Sequence, residues 1–161
     1  MIVNNLRTRS TQKGGRQRGA VLVEFAASII VLVLLLLVIM EFGWLVKNNS
    51  MVQNATREGA RVASIGRSKT EIENRIRASI QPSVSDVVIT LKNSPNTTTA
   101  FTAFPADKPA VGTQPATNGV PAGDMIEVVV TAKHKPLTGT KLLTLGDKVT
   151  SRVVMIRESG P

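Results

Sequence analysis

The sequence predicts an α+β chain, with a long N-terminal transmembrane helix extending into a small extracytoplasmic domain that holds a second helix and a three-stranded antiparallel sheet. Three observations predict it. Phe25 to Met40 reads FAASIIVLVLLLLVIM without a charge. Ile72, Ile76 and Ile80 recur at helical spacing before Pro82. Three later stretches, rich in β-branched residues, alternate in polarity. With 161 residues, the chain has room for an anchor and one modest core, not for two independent cores. The boundaries that follow are a basic leader over 1–19, a transmembrane helix over 20–46, its extramembrane continuation over 47–66, and a small α+β domain over 67–161 with a Pro/Thr-rich loop at 92–124.

The anchor comes first. A hydrocarbon core about 30 Å thick, crossed at 1.5 Å per residue, needs roughly 20 helical residues. Ala20 to Met40 supplies that length if Glu24 is tolerated near the inner boundary. Arg7, Arg9, Lys13, Arg16 and Arg18 precede the run with no acidic residue among them. By the positive-inside rule they hold the N-terminus in the cytoplasm, while Glu41, Trp44 and Lys47 mark the outer interface. A secretory signal peptide has a shorter apolar region ending in a small-residue cleavage site. Here the run ends Glu41-Phe42-Gly43-Trp44, so a retained anchor is expected.

Beyond it, Ser68-Lys69-Thr70-Glu71 has the form of a capping box, and Ile72, Ile76 and Ile80 then fall on one face of a short amphipathic helix stopped at Pro82. Val84 to Leu91, Met125 to Ala132 and Lys148 to Ile156 alternate well enough for strands. Lys92 to Asp124 holds five of the eight prolines and no sustained hydrophobic period, which predicts a long surface loop.

Composition excludes several kinds of chemistry. There is no cysteine and one histidine, His134, so disulfide scaffolds, thiolate metal sites and Cys/His nucleophile pairs are absent from the inventory. The net charge of +9 is concentrated: outside the leader, 15 basic residues face 11 acidic ones. No tyrosine, one tryptophan and four phenylalanines offer no aromatic platform for stacking bases, so nucleic acid is not the expected partner. His134 lies in Lys133-His134-Lys135-Pro136 with no second ligand in sequence, and reads as a solvated turn residue. No Ser/His/Asp ordering, phosphate loop or paired-carboxylate site is visible, so neither an enzyme nor a cofactor is expected.

The sharpest local pattern is Gly19 followed by Ala20-Val21-Leu22-Val23 and then Glu24-Phe25, directly after the basic leader. A glycine before a scissile bond lets the backbone enter a narrow protease cleft without a side chain. Glu24 is a carboxylate entering hydrocarbon, which is costly unless hydrated at the headgroup level or met by a cation. Further along, Ala55, Gly59 and Ala63 are small residues four apart that line one helical face and permit close approach of another backbone, either of the same domain or of another subunit. Glu58 and Arg61 are spaced to form an exposed ion pair.

These strings resemble the TadE-like family of minor pseudopilins, connected with tight-adherence (Flp, type IVc) pili. Its members share a glycine-to-VEF processing region, an apolar helix closing in EFG, and an N-A-x-x-E-G-A-R-x-A segment, seen here from Asn54 to Ala63. The resemblance runs from about Arg16 to Ser64, roughly a third of the chain. It departs in one respect: relatives often carry a proline in the apolar helix, where this chain has Ser28-Ile29-Ile30-Val31. The resemblance implies a non-catalytic subunit of the bacterial inner membrane, cut between Gly19 and Ala20 by a prepilin peptidase. Glu24 and Phe25 would guide assembly, Glu24 by pairing with the new terminal amine of a neighbour. The implied partners are that peptidase, other pilins and pseudopilins, an inner-membrane assembly platform and membrane lipid. An uncleaved signal-anchored scaffold or ligand-binding protein is the alternative reading.

Overall fold

The computed structural model describes residues 14–80, 82, 84–95, 100–137 and 147–159; Arg7, Arg9 and Lys13 of the leader lie outside them. Helix α1 spans Gly14–Ser64, α2 Lys69–Ser79, and strands β1 to β4 span Val84–Ser94, Thr102–Ala103, Met125–His134 and Lys148–Ile156. The chain divides into two compact units, Met1–Ile39 and Met40–Pro161.

In the first unit, the described residues are helical, and the apolar side chains point outward: Val21 is 63% exposed, Phe25 62% and Val31 67%. One described helix is long and apolar enough to cross a membrane, and none of its apolar window is buried within the protein. An isolated helix of bare aliphatic side chains is unfavourable in water and favourable in hydrocarbon, where its backbone bonds are satisfied internally. This helix is a membrane anchor.

The second unit has one core. Val52, Ala55, Ala60 and Ala63 of α1 and Ile72 and Ile76 of α2 are buried together with Ile126, Val128, Val130 and Ala132 of β3. The four β3 residues alternate along the strand, so one sheet face supplies them all. The β3–β4 pairing places Val149, Ser151, Val153 and Met155 on that same inner face and Thr150, Arg152, Val154 and Ile156 on the outer one. In β1, Ile89 and Leu91 pair with Val130 and Val128, and a bulge between Ser85 and Val88 absorbs one residue, with Asp86 at φ 49°.

Helix α2 starts as the sequence suggests. The backbone N–H of Glu71 donates to Ser68 Oγ at 3.3 Å, and Ile72 and Ile76 are its buried residues. The reciprocal half of the capping box is replaced by an ion pair, Glu71 to Arg67 at 3.7 Å. Helix α1 ends in a Schellman turn: Gly66 N–H donates to Ala63 O at 3.0 Å and Arg67 N–H to Val62 O at 3.3 Å, with Gly66 at φ +88°. Buried Asn118 completes the end by donating from Nδ2 to Ala63 O at 2.9 Å and to Arg67 O at 3.1 Å.

Two sequence expectations need correction. The sheet has four strands, in the order β2-β1-β3-β4, rather than three. The extra strand is two residues long, pairing Thr102 and Ala103 with Asn93 and Lys92, and a two-residue strand has no side-chain period to read. Its segment, expected as a surface loop throughout 92–124, also carries the buried Asn118 and Val120 and is bridged at Lys108 to Thr117 and at Thr117 to Arg67.

Candidate functional site

Gly19, Ala20, Glu24 and Phe25 all lie exposed on α1 in the first unit. A Cβ built on Gly19 meets nothing within 4 Å, so packing within the protein does not require glycine there. Ser28 Oγ donates to the Glu24 carbonyl at 2.9 Å, a local contact that leaves the Glu24 carboxylate at the surface. The bond between Gly19 and Ala20 lies inside the helix, which begins at Gly14. A protease reading that bond would need the first turns opened into extended backbone, and glycine lowers the helix propensity at that point by about 1 kcal/mol.

Ala55, Gly59 and Ala63 belong to the second unit and are buried there. A Cβ on Gly59 would come within 2.4 Å of Ile76 Cγ1 and 2.5 Å of its Cδ1. The small side chains therefore let α2 approach α1 closely. Glu58, one residue earlier, faces outward to two guanidinium groups. Arg61 donates to it twice, through Nε and Nη2 at 3.1 Å each, and Arg75 of α2 reaches it at 3.1 Å. Hydrogen bonds from Arg61 first and Arg75 second hold the Glu58 carboxyl below its ordinary value of 4.5. This triad edges an open cleft of about 420 Å³ between the two helices, whose lining also includes Ile65, Arg67 and Glu71.

The segment that joins these features, residues 19–61, matches the family model described as TadE-like protein. The chain carries a TadE-like segment. The match opens on Gly19 and closes on Arg61, so it takes in the apolar helix, the small-residue series up to Gly59 and the Glu58–Arg61 pair. No curated protein and no solved structure matches the chain.

Within the TadE-like segment the structure assigns a role to Glu41, Trp44 and Asn48 that their sequence pattern did not reveal. They lie three and four residues apart on one ridge of α1 and grip the end of β3. Asn48 Nδ2 lies 2.9 Å from His134 Nδ1, and His134 Nε2 lies 3.4 Å from Glu41 Oε1. With the amide nitrogen as donor, Nδ1 is the acceptor and Nε2 carries the proton toward the carboxylate. The Glu41 carboxylate also accepts from the Leu137 backbone N–H at 3.2 Å, and Trp44 Nε1 donates to Lys135 O at 3.1 Å.

The solvated-turn reading of His134 is therefore corrected: it ends β3, and its side chain is 9% exposed. Strand parity contained the signal. Ile126, Val128, Val130 and Ala132 face inward, and His134 is the next residue of that series, whereas the lysines on either side belong to the other. Among the described residues, no group of three or more histidine, aspartate or glutamate side chains could hold a metal.

Proposed function

We propose that this chain is a minor pilin-like subunit of a tight-adherence pilus or a related bacterial secretion apparatus, without catalytic activity of its own. In this reading a prepilin peptidase cuts between Gly19 and Ala20, the N-terminus faces the cytoplasm, and residues after the anchor lie outside it, at the inner membrane. The observation that carries the reading is the TadE-like match beginning at Gly19, where the basic leader meets an apolar helix whose aliphatic side chains are exposed among the described residues. Bare aliphatic surface of that length suits lipid first and the anchors of other pilins afterwards.

Glu24 then has a specific task. Five residues beyond Gly19, it stands about 6 Å along the helix from the amine that cleavage would create at Ala20. A carboxylate entering a low-dielectric packing of helices is costly alone and stabilised by a cation, so a neighbouring subunit's new amine offers the compensating charge. Glu24→Leu should still be cut and inserted, yet fail to enter a filament. Phe25 would contribute its ring to the same contact.

The test is intact-mass analysis of membrane-extracted protein from cells with and without the peptidase, alongside Gly19→Leu. Loss of residues 1–19 only where both the peptidase and Gly19 are intact is the expected result. An uncut chain in every strain would contradict it and leave the signal-anchored scaffold as the better account.

A further inference from the structure

We propose that the end of the sheet carrying His134 is a docking surface for anionic phospholipid headgroups, so that the C-terminal unit rests on the bilayer surface as well as being tethered to it. The inference rests on the membrane-anchor reading of α1. Glu41 directly follows Met40, the last residue of the uncharged run, and Lys47 is only about 9 Å further along the helix, so Glu41 to Lys47 occupy the headgroup level. The contacts at this level bring distant residues of the same unit to it: Glu41 holds the Leu137 backbone, and Trp44 holds the Lys135 carbonyl.

What is gathered there is basic and apolar. Lys47 Nζ sits 4.4 Å over the Trp44 ring. Lys133 and Lys148 are paired across β3 and β4 on the sheet face opposite His134, and Lys135 follows two residues after Lys133. All four lysines are exposed, and among the described residues none of their ammonium groups has an ion-pair partner. Leu137, two residues after Lys135, is 45% exposed. Of the nearby acids, Glu41 faces His134 and the Leu137 N–H, while Asp86, beside the Ser85 that pairs with Lys133, and Asp147, beside Lys148, are exposed, so two carboxylates stand against four lysines. Exposed lysines at one end of the sheet, with an exposed leucine and a tryptophan nearby in the fold, at the depth where phosphates lie, match the chemistry of an anionic interface, with stems along the acyl boundary and ammonium groups at the phosphates. Each lysine should raise the preference for anionic over neutral lipid about fivefold.

The absence of cysteine makes the test direct. The full chain carrying Leu137→Cys is labelled with an environment-sensitive fluorophore and reconstituted into vesicles of phosphatidylcholine alone or mixed with phosphatidylglycerol, each doped with a headgroup-nitroxide lipid. A second label at Val111→Cys reports the opposite end of the unit, where Thr117 is bridged to Arg67, just beyond the end of α1. The expected result is strong quenching at position 137 in the anionic vesicles and little at 111. Quenching at 137 should fall to the phosphatidylcholine level in molar salt, where screening reaches within about 3 Å. Lys133→Gln, Lys135→Gln and Lys148→Gln combined should have the same effect, and these exposed changes leave the core intact. Equal quenching in both lipids, unmoved by salt or by the lysine changes, would overturn the proposal by showing tether proximity alone; so would no quenching at 137. Failure of the chain to float with alkali-washed vesicles would instead overturn the anchor reading itself.

Discussion

Two stretches of one helix, α1, use opposite rules. From Val21 to Leu36 large aliphatic side chains are exposed, while from Asn48 to Ser64 the buried positions are mostly small or polar: Asn48, Thr56 and Ser64 among Ala55, Gly59, Ala60 and Ala63, with Val52 and Val62 the larger aliphatics. In the first stretch the hydrophobic side chains are exposed among the described residues, a surface suited to an apolar environment. In the second, small residues let a second helix and a sheet come close, and the polar groups are satisfied, Thr56 locally by donating from Oγ1 to Val52 O at 2.7 Å and Asn48 across the fold at His134. Hydrophobicity alone would have placed the core in the wrong half of the helix.

The largest expected effect contrasts a core isoleucine with an anchor leucine. Ile76 is fully buried against Gly59. Ile76→Ala should cost about 2–5 kcal/mol by transfer and cavity terms together. Leu34→Ala, at a position exposed within the protein, should change the domain's stability by less than about 0.5 kcal/mol. Thermal and denaturant melts of the detergent-solubilised chain read both, and equal losses would erase the distinction between the stretches.

A glycine pair sharpens it at smaller magnitude. A Cβ at Gly59 strikes Ile76, whereas one at Gly43 meets nothing within 4 Å. Gly59→Ala should destabilise by about 1–3 kcal/mol through overpacking. Gly43→Ala should be neutral or stabilising by up to about 1 kcal/mol, because alanine loses less backbone entropy in a helix. A loss for Gly59→Ala with none for Gly43→Ala in the same melts is the expected outcome.

The smallest effect concerns Glu58. Its carboxyl is held below 4.5 by Arg61 and then Arg75, so the ion pair contributes to stability above that value, and the contribution is lost as pH falls through the lower folded-state midpoint. A carbon-detected titration of Glu58 should show a depressed midpoint, rising toward 4.5 in Arg75→Gln. An unchanged midpoint would mean that Arg75 contributes nothing to the pair.

Much of this was legible along the chain, for a physical reason: helices and strands are local, and their periods survive in sequence. The anchor, the Ser68 cap, the Ile72 and Ile76 face and the start of every long strand follow from patterns within about ten residues. The grip of Glu41, Trp44 and Asn48 on the end of β3 did not, because its partners are 86 to 96 residues apart in sequence and each belongs to a local pattern with another meaning. Lys133 and Lys135 made His134 look solvated, although alternation sends the three side chains to two faces. Asn118 was hidden in the same way, as one polar residue in a proline-rich stretch that caps a helix end 55 residues away.

The central claim, that α1 changes environment near Glu41, is most directly tested by spin-label accessibility in the reconstituted full chain, using single cysteines at Ile30, Leu34, Gln53 and Arg57. Labels at 30 and 34 should relax with oxygen and not with an aqueous nickel chelate, and those at 53 and 57 should do the reverse. Access of the chelate to positions 30 and 34 would contradict the account.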